Sequence, residues 1–275
     1  MWLDGEKSAG KRRQSPITGY IGANGAGKSL LAVNDALGYL RQGRPVLSTV
    51  RLVDPEGPAE CHDDECDSAM HPFHGTAHKL WRPLRTWADL LEAEGCHVIL
   101  DEITGIASSR ESQALPAEVA DRMMQFRRCD VTVAWTAPSW ARADLLLREV
   151  TQCAVLCRGL LRRAAAGQIW RASTVISSRM VDARDLDELT QAQRLGTARA
   201  PLRTLVKGLA RVDRMEGRHL YNTLDSVSSL AHDSTRGACL ACGGRRTAPR
   251  CECGPPATES RGPRRAGGRL TVIDG

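Results

Sequence analysis

The sequence predicts an α/β fold, a parallel sheet with helices on both faces, and three observations predict it. Short apolar runs suited to buried strands alternate with stretches of helical spacing. A glycine-rich turn, Gly22 to Ser29, joins the first run to the first helical stretch. A later apolar run ends on the acidic pair Asp101-Glu102. The chain has 275 residues, 42% hydrophobic and 25% charged, which allows a sizeable core and one or two domains and excludes disorder along the whole length.

Residues 1–15 are polar and basic and are expected to be a loose lead-in. Residues 16–22 read as a short buried strand. Residues 28–41 carry Leu30, Leu31, Val33, Leu37 and Leu40 at helical spacing, and Gly43 and Pro45 stop the helix. Val46 to Val50 reads as the second strand. Residues 54–80 are rich in Pro, His, Asp and Cys and read as an insertion. Thr86 to Glu94 reads as a helix with Thr86 at its N-cap. Val98 to Leu100 is the third strand, Pro116 to Arg128 an amphipathic helix, and Val131 to Thr136 the fourth strand. Trp140 to Val150 reads as a helix and Ala154 to Leu156 as the fifth strand. Beyond Gly159 the pattern weakens: residues 168–177 suit further strands, residues 202–230 are partly helical, and residues 233–275 lack a core-forming period.

Gly22-Ala23-Asn24-Gly25-Ala26-Gly27-Lys28-Ser29 fits G-x-x-x-x-G-K-[ST] at every position. Its glycines let backbone N–H groups converge on phosphate oxygens, and the helix that follows points its positive end at the same anion. Lys28 is expected at the β- and γ-phosphates and Ser29 on Mg²⁺. Asp101, at the end of the apolar run His97 to Leu100, is expected to hold the Mg²⁺ shell. Glu102 is expected to polarise the attacking water. Thr136 ends its strand at the same sheet edge, where a hydroxyl can sense the γ-phosphate. Arg127 and Arg128 end a helix just before that strand. They are candidates for an arginine that completes a neighbouring subunit's site, as are Arg148 and Arg110. No N-K-x-D guanine signature is present, so ATP is the expected nucleotide and hydrolysis the expected chemistry.

The stretch from Ile17 to Leu156 resembles the Zot (zonula occludens toxin-like) family of filamentous-phage assembly ATPases, within the FtsK/HerA-like P-loop ATPases. Ile17 to Ser29, His97 to Glu102, the basic pair Arg127-Arg128 before its strand, the helix ending in Arg148 and the Tyr221-Asn-Thr-Leu224 echo carry the resemblance. Ala137 stands where the family commonly has Gln, and no apolar run here is long enough for the membrane span its phage members commonly carry. The resemblance implies a P-loop NTPase with an added strand and a catalytic glutamate. It also implies a homo-oligomeric ring and coupling of ATP hydrolysis to DNA translocation, packaging or phage assembly and export. The alternatives are an ATP-switched adaptor that docks a partner protein, and a coupling ATPase for conjugative DNA transfer. Phage or conjugation assembly proteins are the expected partners, with any membrane contact peripheral. The N-terminus has no apolar segment of the secretory kind, so a cytoplasmic location is expected.

Cys239, Cys242, Cys251 and Cys253 form two close pairs with glycines at the turns, in a segment without a core of its own. Four thiolates fill a tetrahedral Zn²⁺ shell, so residues 239–253 read as a small zinc ribbon within a basic tail, 233–275. In the insertion, Cys61, Cys66, His71 and His74 are a second candidate zinc set, and four of the seven histidines fall between His62 and His78. Cys96, Cys129, Cys153 and Cys157 sit in or beside strands and read as small buried hydrophobes. The ATPase domain is expected over residues 16–232.

Charge is uneven: residues 1–155 hold 17 Lys/Arg against 21 Asp/Glu, whereas residues 156–275 hold 21 against 11. The basic second half suits an anionic partner, with DNA expected. Eleven aromatic residues in the whole chain argue against a base-stacking platform.

Overall fold

The computed structural model of the chain describes residues 5–57, 77–105, 117–164, 171–197 and 202–221. Its elements are α1 (Gly5–Arg12), β1 (Ile17–Ile21), α2 (Lys28–Leu40), β2 (Val46–Ser48), β3 (Trp81–Pro83), α3 (Trp87–Leu91) and β4 (His97–Leu100). They continue with α4 (Ala117–Gln125), β5 (Thr132–Ala137), α5 (Leu145–Val150), β6 (Cys153–Ala164), β7 (Arg171–Asp182), α6 (Ala183–Leu195) and β8 (Thr204–Arg211). The strands form one sheet in the order β3-β2-β4-β5-β1-β6-β7-β8. Pairing is parallel from β3 to β6, and β7 and β8 add antiparallel.

The central strands are apolar on both faces, as a doubly covered parallel sheet requires. Val98, Leu100, Val133 and Trp135 face a cluster supplied by α3, α4, α5 and α6. Ile99, Ala134 and Tyr20, the alternate residues, face α2 through Val33, Ala36, Leu31 and Ala32. Helix α1 packs on α2 and β8. The alternation of cluster membership along each strand follows from the two-residue period of side-chain direction. No helix among the described residues is long and apolar enough to cross a membrane.

The structure departs from the sequence reading in several elements. The lead-in is helical over Gly5–Arg12 because Arg12 and Ala9 find burial against the rest of the fold. Trp140 to Val150 is not one helix: Asp144 caps a new one by accepting from the Leu146 N–H at 2.8 Å. Strands β6 and β7 run 12 residues each and make a long hairpin rather than a short strand and a fragment. Within residues 202–230, read as partly helical, residues 204–211 form an edge strand with alternating exposure, and short 3-10 turns follow at Val212–Arg214 and Glu216–His219. Helix α6, not anticipated, starts on an Asp182 cap and ends at Gly196, which takes the left-handed conformation (φ 67°).

Candidate active site

Strand β5 stands between β1 and β4, so the phosphate loop and the acidic pair leave the sheet two strands apart, roughly 10 Å at ordinary strand spacing. Register brings their ends level. Tyr20 pairs with Thr136, Leu100 pairs with Trp135, and the Gly22 N–H donates to the Ala137 carbonyl at 3.2 Å. All three strand ends are C-terminal, the edge at which ligands bind open parallel sheets.

The loop from Gly22 to Gly27 is shaped by what lies behind it. A Cβ on Gly22 would meet the Cys157 carbonyl oxygen at 2.4 Å, and one on Gly27 the Ile176 side chain at 2.2 Å. Gly25 and Gly27 have φ of 73° and 85°, where other residues are strained. Helix α2 then begins at Lys28 with no side-chain cap, leaving its first N–H groups turned to the loop. Lys28 is buried and its Nζ donates to the Ala23 carbonyl at 3.3 Å. Ala23, Asn24 and Gly25 are exposed, Ala26 is buried, and Ser29 is partly buried.

Thr136 joins the two acids. It is fully buried; its hydroxyl donates to Asp101 Oδ1 at 2.7 Å and accepts from the Glu102 N–H at 2.9 Å. The Asp101 N–H donates to Thr49 Oγ1 at 2.9 Å. Glu102 is exposed and has φ of 50°, a left-handed conformation that a glutamate adopts only when its surroundings impose it. The strain turns one carboxylate outward while its neighbour stays buried.

Two oxygen donors are unengaged among the described residues. The Ser29 hydroxyl and Asp101 Oδ2 make no hydrogen bond among the described residues. Hard oxygen ligands from one hydroxyl and one carboxylate suit Mg²⁺, which keeps most of its waters. The donor set therefore fits that ion.

Arg127 and Arg128 are exposed in the turn before β5, at its N-terminal end. Thr136 lies at the other end of that strand, roughly 17 Å of extended chain away at ordinary rise. An arginine side chain does not span that distance, so neither reaches this chain's own nucleotide site. Arg148 is bound in an ion pair with Asp187. Arg110, Cys61, Cys66, His71, His74, Cys239, Cys242, Cys251 and Cys253 lie outside the described residues, as do residues 222–224 and the whole unit from Asp233 to Gly275.

Sequence reasoning missed the support behind the loop. The Arg12 guanidinium donates to Asp35 through Nε at 2.5 Å and through its second nitrogen at 2.6 Å, and Tyr20 Oη donates to Asp35 Oδ2 at 2.7 Å. Burial opposes the Arg12 charge, and the attraction and hydrogen bonds of Asp35 more than offset it, leaving its pKa above the ordinary arginine value. Burial, with the Asp35 charge, holds the Tyr20 phenol well above its usual range. This triad fixes α2 to β1 just before the phosphate loop. An acid on the apolar face of α2 was its one sequence signal. Behind the loop, burial pushes the Cys157 thiol up to about 12, so it stays un-ionised. Cys96 and Cys153 are also buried free thiols.

The family model for Zonular occludens toxin (Zot) matches residues 17–194. Among solved structures, the N-terminal domain of zonular occludens toxin from Neisseria meningitidis is 16% identical with a TM-score of 0.40, over 76% of this chain and 99% of that one. The genome packaging NTPase B204 of Sulfolobus turreted icosahedral virus 2, in complex with ATP-gammaS, is 7% identical with a TM-score of 0.38, over 62% and 93%. No curated protein matches. The family match spans the phosphate loop, the acidic pair and the strand between them, and the chain belongs to the Zot family.

Proposed function

We propose that the chain is a Mg²⁺-dependent ATPase of phage assembly type, whose hydrolysis moves or packages DNA. The observation that carries this is Thr136, on the strand between the phosphate loop and the acidic pair, bonded to Asp101 and Glu102 at once. Membership of the Zot family supports the assembly role.

In this reading the backbone of residues 22–29 cradles the phosphates and Lys28 neutralises the β- and γ-oxygens. Ser29 and Asp101 hold the ion. Bound Mg²⁺ would neutralise charge that develops on the γ-phosphoryl group. Glu102 orients the water and takes its proton as the new P–O bond forms and the bridging bond to the β-phosphate breaks. Thr136 keeps Glu102 in its strained turn, so the carboxylate faces the nucleotide side. Arg127 and Arg128 act on the site of the next subunit in a ring. In the tail, Cys239, Cys242, Cys251 and Cys253 hold one Zn²⁺. Metal analysis of the full chain then finds one zinc, lost in C251S/C253S, or two if Cys61, Cys66, His71 and His74 also bind.

The test is ATP hydrolysis by the full chain with Mg²⁺, with and without single- and double-stranded DNA. Lys28→Ala abolishes nucleotide binding. Glu102→Gln still binds but turns over about 10²–10⁴-fold more slowly, the range for losing a general base. DNA stimulates the wild type several-fold. Turnover indifferent to every DNA would remove the motor function and leave a nucleotide-switched adaptor in its place.

A further inference from the structure

Among the described residues, one corner of the sheet lacks the helical cover that the rest has. On the side of α3 to α6, Leu156 of β6 packs against the helix-facing cluster, and the described cover stops there. Beyond it, register sets Arg179 of β7 directly beside Lys207 of β8. Arg158 lies two residues past Leu156 on β6, in the same rung as Leu209, and Arg211 lies one rung further along β8. All four cations are exposed, as is Leu209. Ordinary strand spacing puts the cations within a patch roughly 10 by 14 Å.

Two features of this patch call for an anion. The first is the Arg179–Lys207 pair: like charges directly opposite across a sheet repel, and no carboxylate on these strands relieves them. Strands β6 and β8 contain no acid, and the Asp182 of β7 instead caps α6. Asp213 pairs with Arg211 only at the exposed rim, and Asp187 of α6 is engaged with Trp140 and Arg148. The second is position. Strand β6 pairs with β1 only as far as Leu156, so Arg158 continues past the strand that feeds the phosphate loop. The hairpin also touches that loop, since Ser173 Oγ donates to the Gly25 carbonyl at 2.9 Å. The patch lies at the nucleotide end of the sheet.

We propose that this face of β6, β7 and β8 binds the phosphate backbone of duplex DNA through Arg158, Arg179 and Lys207. It rests on the DNA-motor reading above and names where the DNA sits. Duplex is favoured over single strand because none of the three strands carries an aromatic side chain on which bases could stack. Contacts of this kind are sequence-independent and salt-sensitive.

The test is binding of a labelled mixed-sequence duplex to the full chain, read by fluorescence anisotropy between about 50 and 200 mM salt. R158Q/R179Q/K207Q should weaken binding about 10- to 100-fold at low salt and make the slope of log affinity against log salt shallower by about 2 to 3. R82Q, an exposed cation on β3 at the opposite edge, should change neither. Thermal melting checks that the triple variant is folded. Wild-type affinity and slope in a folded triple variant would overturn the assignment while leaving the motor reading intact. An equal loss in R82Q would overturn it in favour of diffuse attraction. A changed oligomeric state by light scattering with DNA binding unaltered would make the face a subunit contact instead. Binding of single strands but not duplex would overturn it as well. A wild type that binds no DNA would overturn both this face and the motor reading.

Discussion

At the scale of single residues, Thr136 and His97 show how far a side chain's duty departs from its place in a motif. Thr136 was legible as a polar residue at the right sheet edge. Its role was not, because its partners lie 34 and 35 residues away and only the β4–β5 register brings them together. Asp101 and Glu102 were legible, since an apolar strand ending in two acids after a phosphate loop has few other uses. Thr136→Val keeps the shape and removes the hydroxyl. The Glu102 N–H then loses its acceptor and Asp101 loses a donor, which costs stability about 1–3 kcal/mol. Turnover should fall about 10- to 100-fold, the share of a misplaced base, with KM for ATP nearly unchanged; a normal kcat would show that Glu102 holds its place without Thr136. His97, at the other end of β4, is buried, stacks on Tyr39 at 4.3 Å and leaves Nε2 without a partner among the described residues. Burial, then the charges of Arg44 and Arg13, lowers its pKa from 6.5 to about 3. The unfolded chain therefore binds a proton that the folded chain does not. This contribution to stability is complete above pH 6.5 and is lost as pH falls from there towards 3. At about 1.4 kcal/mol per pH unit in that window, urea unfolding at pH 7 and pH 5 should differ by about 2 kcal/mol through His97 alone. His97→Phe should remove that increment; an unchanged pH dependence would assign it to other groups.

At the scale of elements, the β6–β7 hairpin does more than extend the sheet. It walls the phosphate loop at three points: the Cys157 carbonyl behind Gly22, Ile176 behind Gly27, and Ser173 on the Gly25 carbonyl. The last contact needs Gly159, because a Cβ there would lie 1.9 Å from Ser173 Oγ. The hydrogen bond holds the Gly25 carbonyl on the hairpin, away from the phosphates that its neighbouring N–H groups receive. Ser173→Ala should raise KM for ATP several-fold with little loss of kcat. Gly159→Ala should do more, since it displaces the hydroxyl instead of deleting it. A fall in kcat alone would place the hairpin in chemistry rather than binding. The sequence reading placed strands at Ala154 to Leu156 and over residues 168–177, but not their length or their pairing behind the phosphate loop. β7 carries the strand formers Thr174, Val175 and Ile176 whereas β8 has few, and the placing of both comes from pairing with strands distant in sequence. Helix α6 was legible in principle, with an Asp cap and a closing Gly. Helix α1 was not, because its residues lack an apolar period and its place is set by the buried Arg12–Asp35 pair.

At the scale of the whole molecule, the parallel core was legible because strand, loop and helix alternate with local signals at each junction. The sheet order was not, since nothing local says that β5 enters between β1 and β4. That order decides what a single chain can do. It gathers Lys28, Ser29, Asp101 and Glu102 at one edge and sends Arg127 and Arg128 to the other. The chain's own site thus has, among the described residues, one buried cation at the phosphate loop, Lys28, and an arginine that stabilises the γ-phosphoryl charge would come from a neighbour. Such an arginine is worth about 10³–10⁵ in kcat where it has been removed or supplied. Turnover per chain should therefore rise steeply with chain concentration as subunits assemble, then level off. R127A/R128A should keep nucleotide affinity and assembly, measured by light scattering, yet flatten that rise. Restoring it by adding Glu102→Gln chains, which lack a working base but carry both arginines, would show that one subunit completes the next. Turnover that is already maximal in dilute, monomeric protein would mean that each chain hydrolyses ATP alone and that the exposed pair serves another contact.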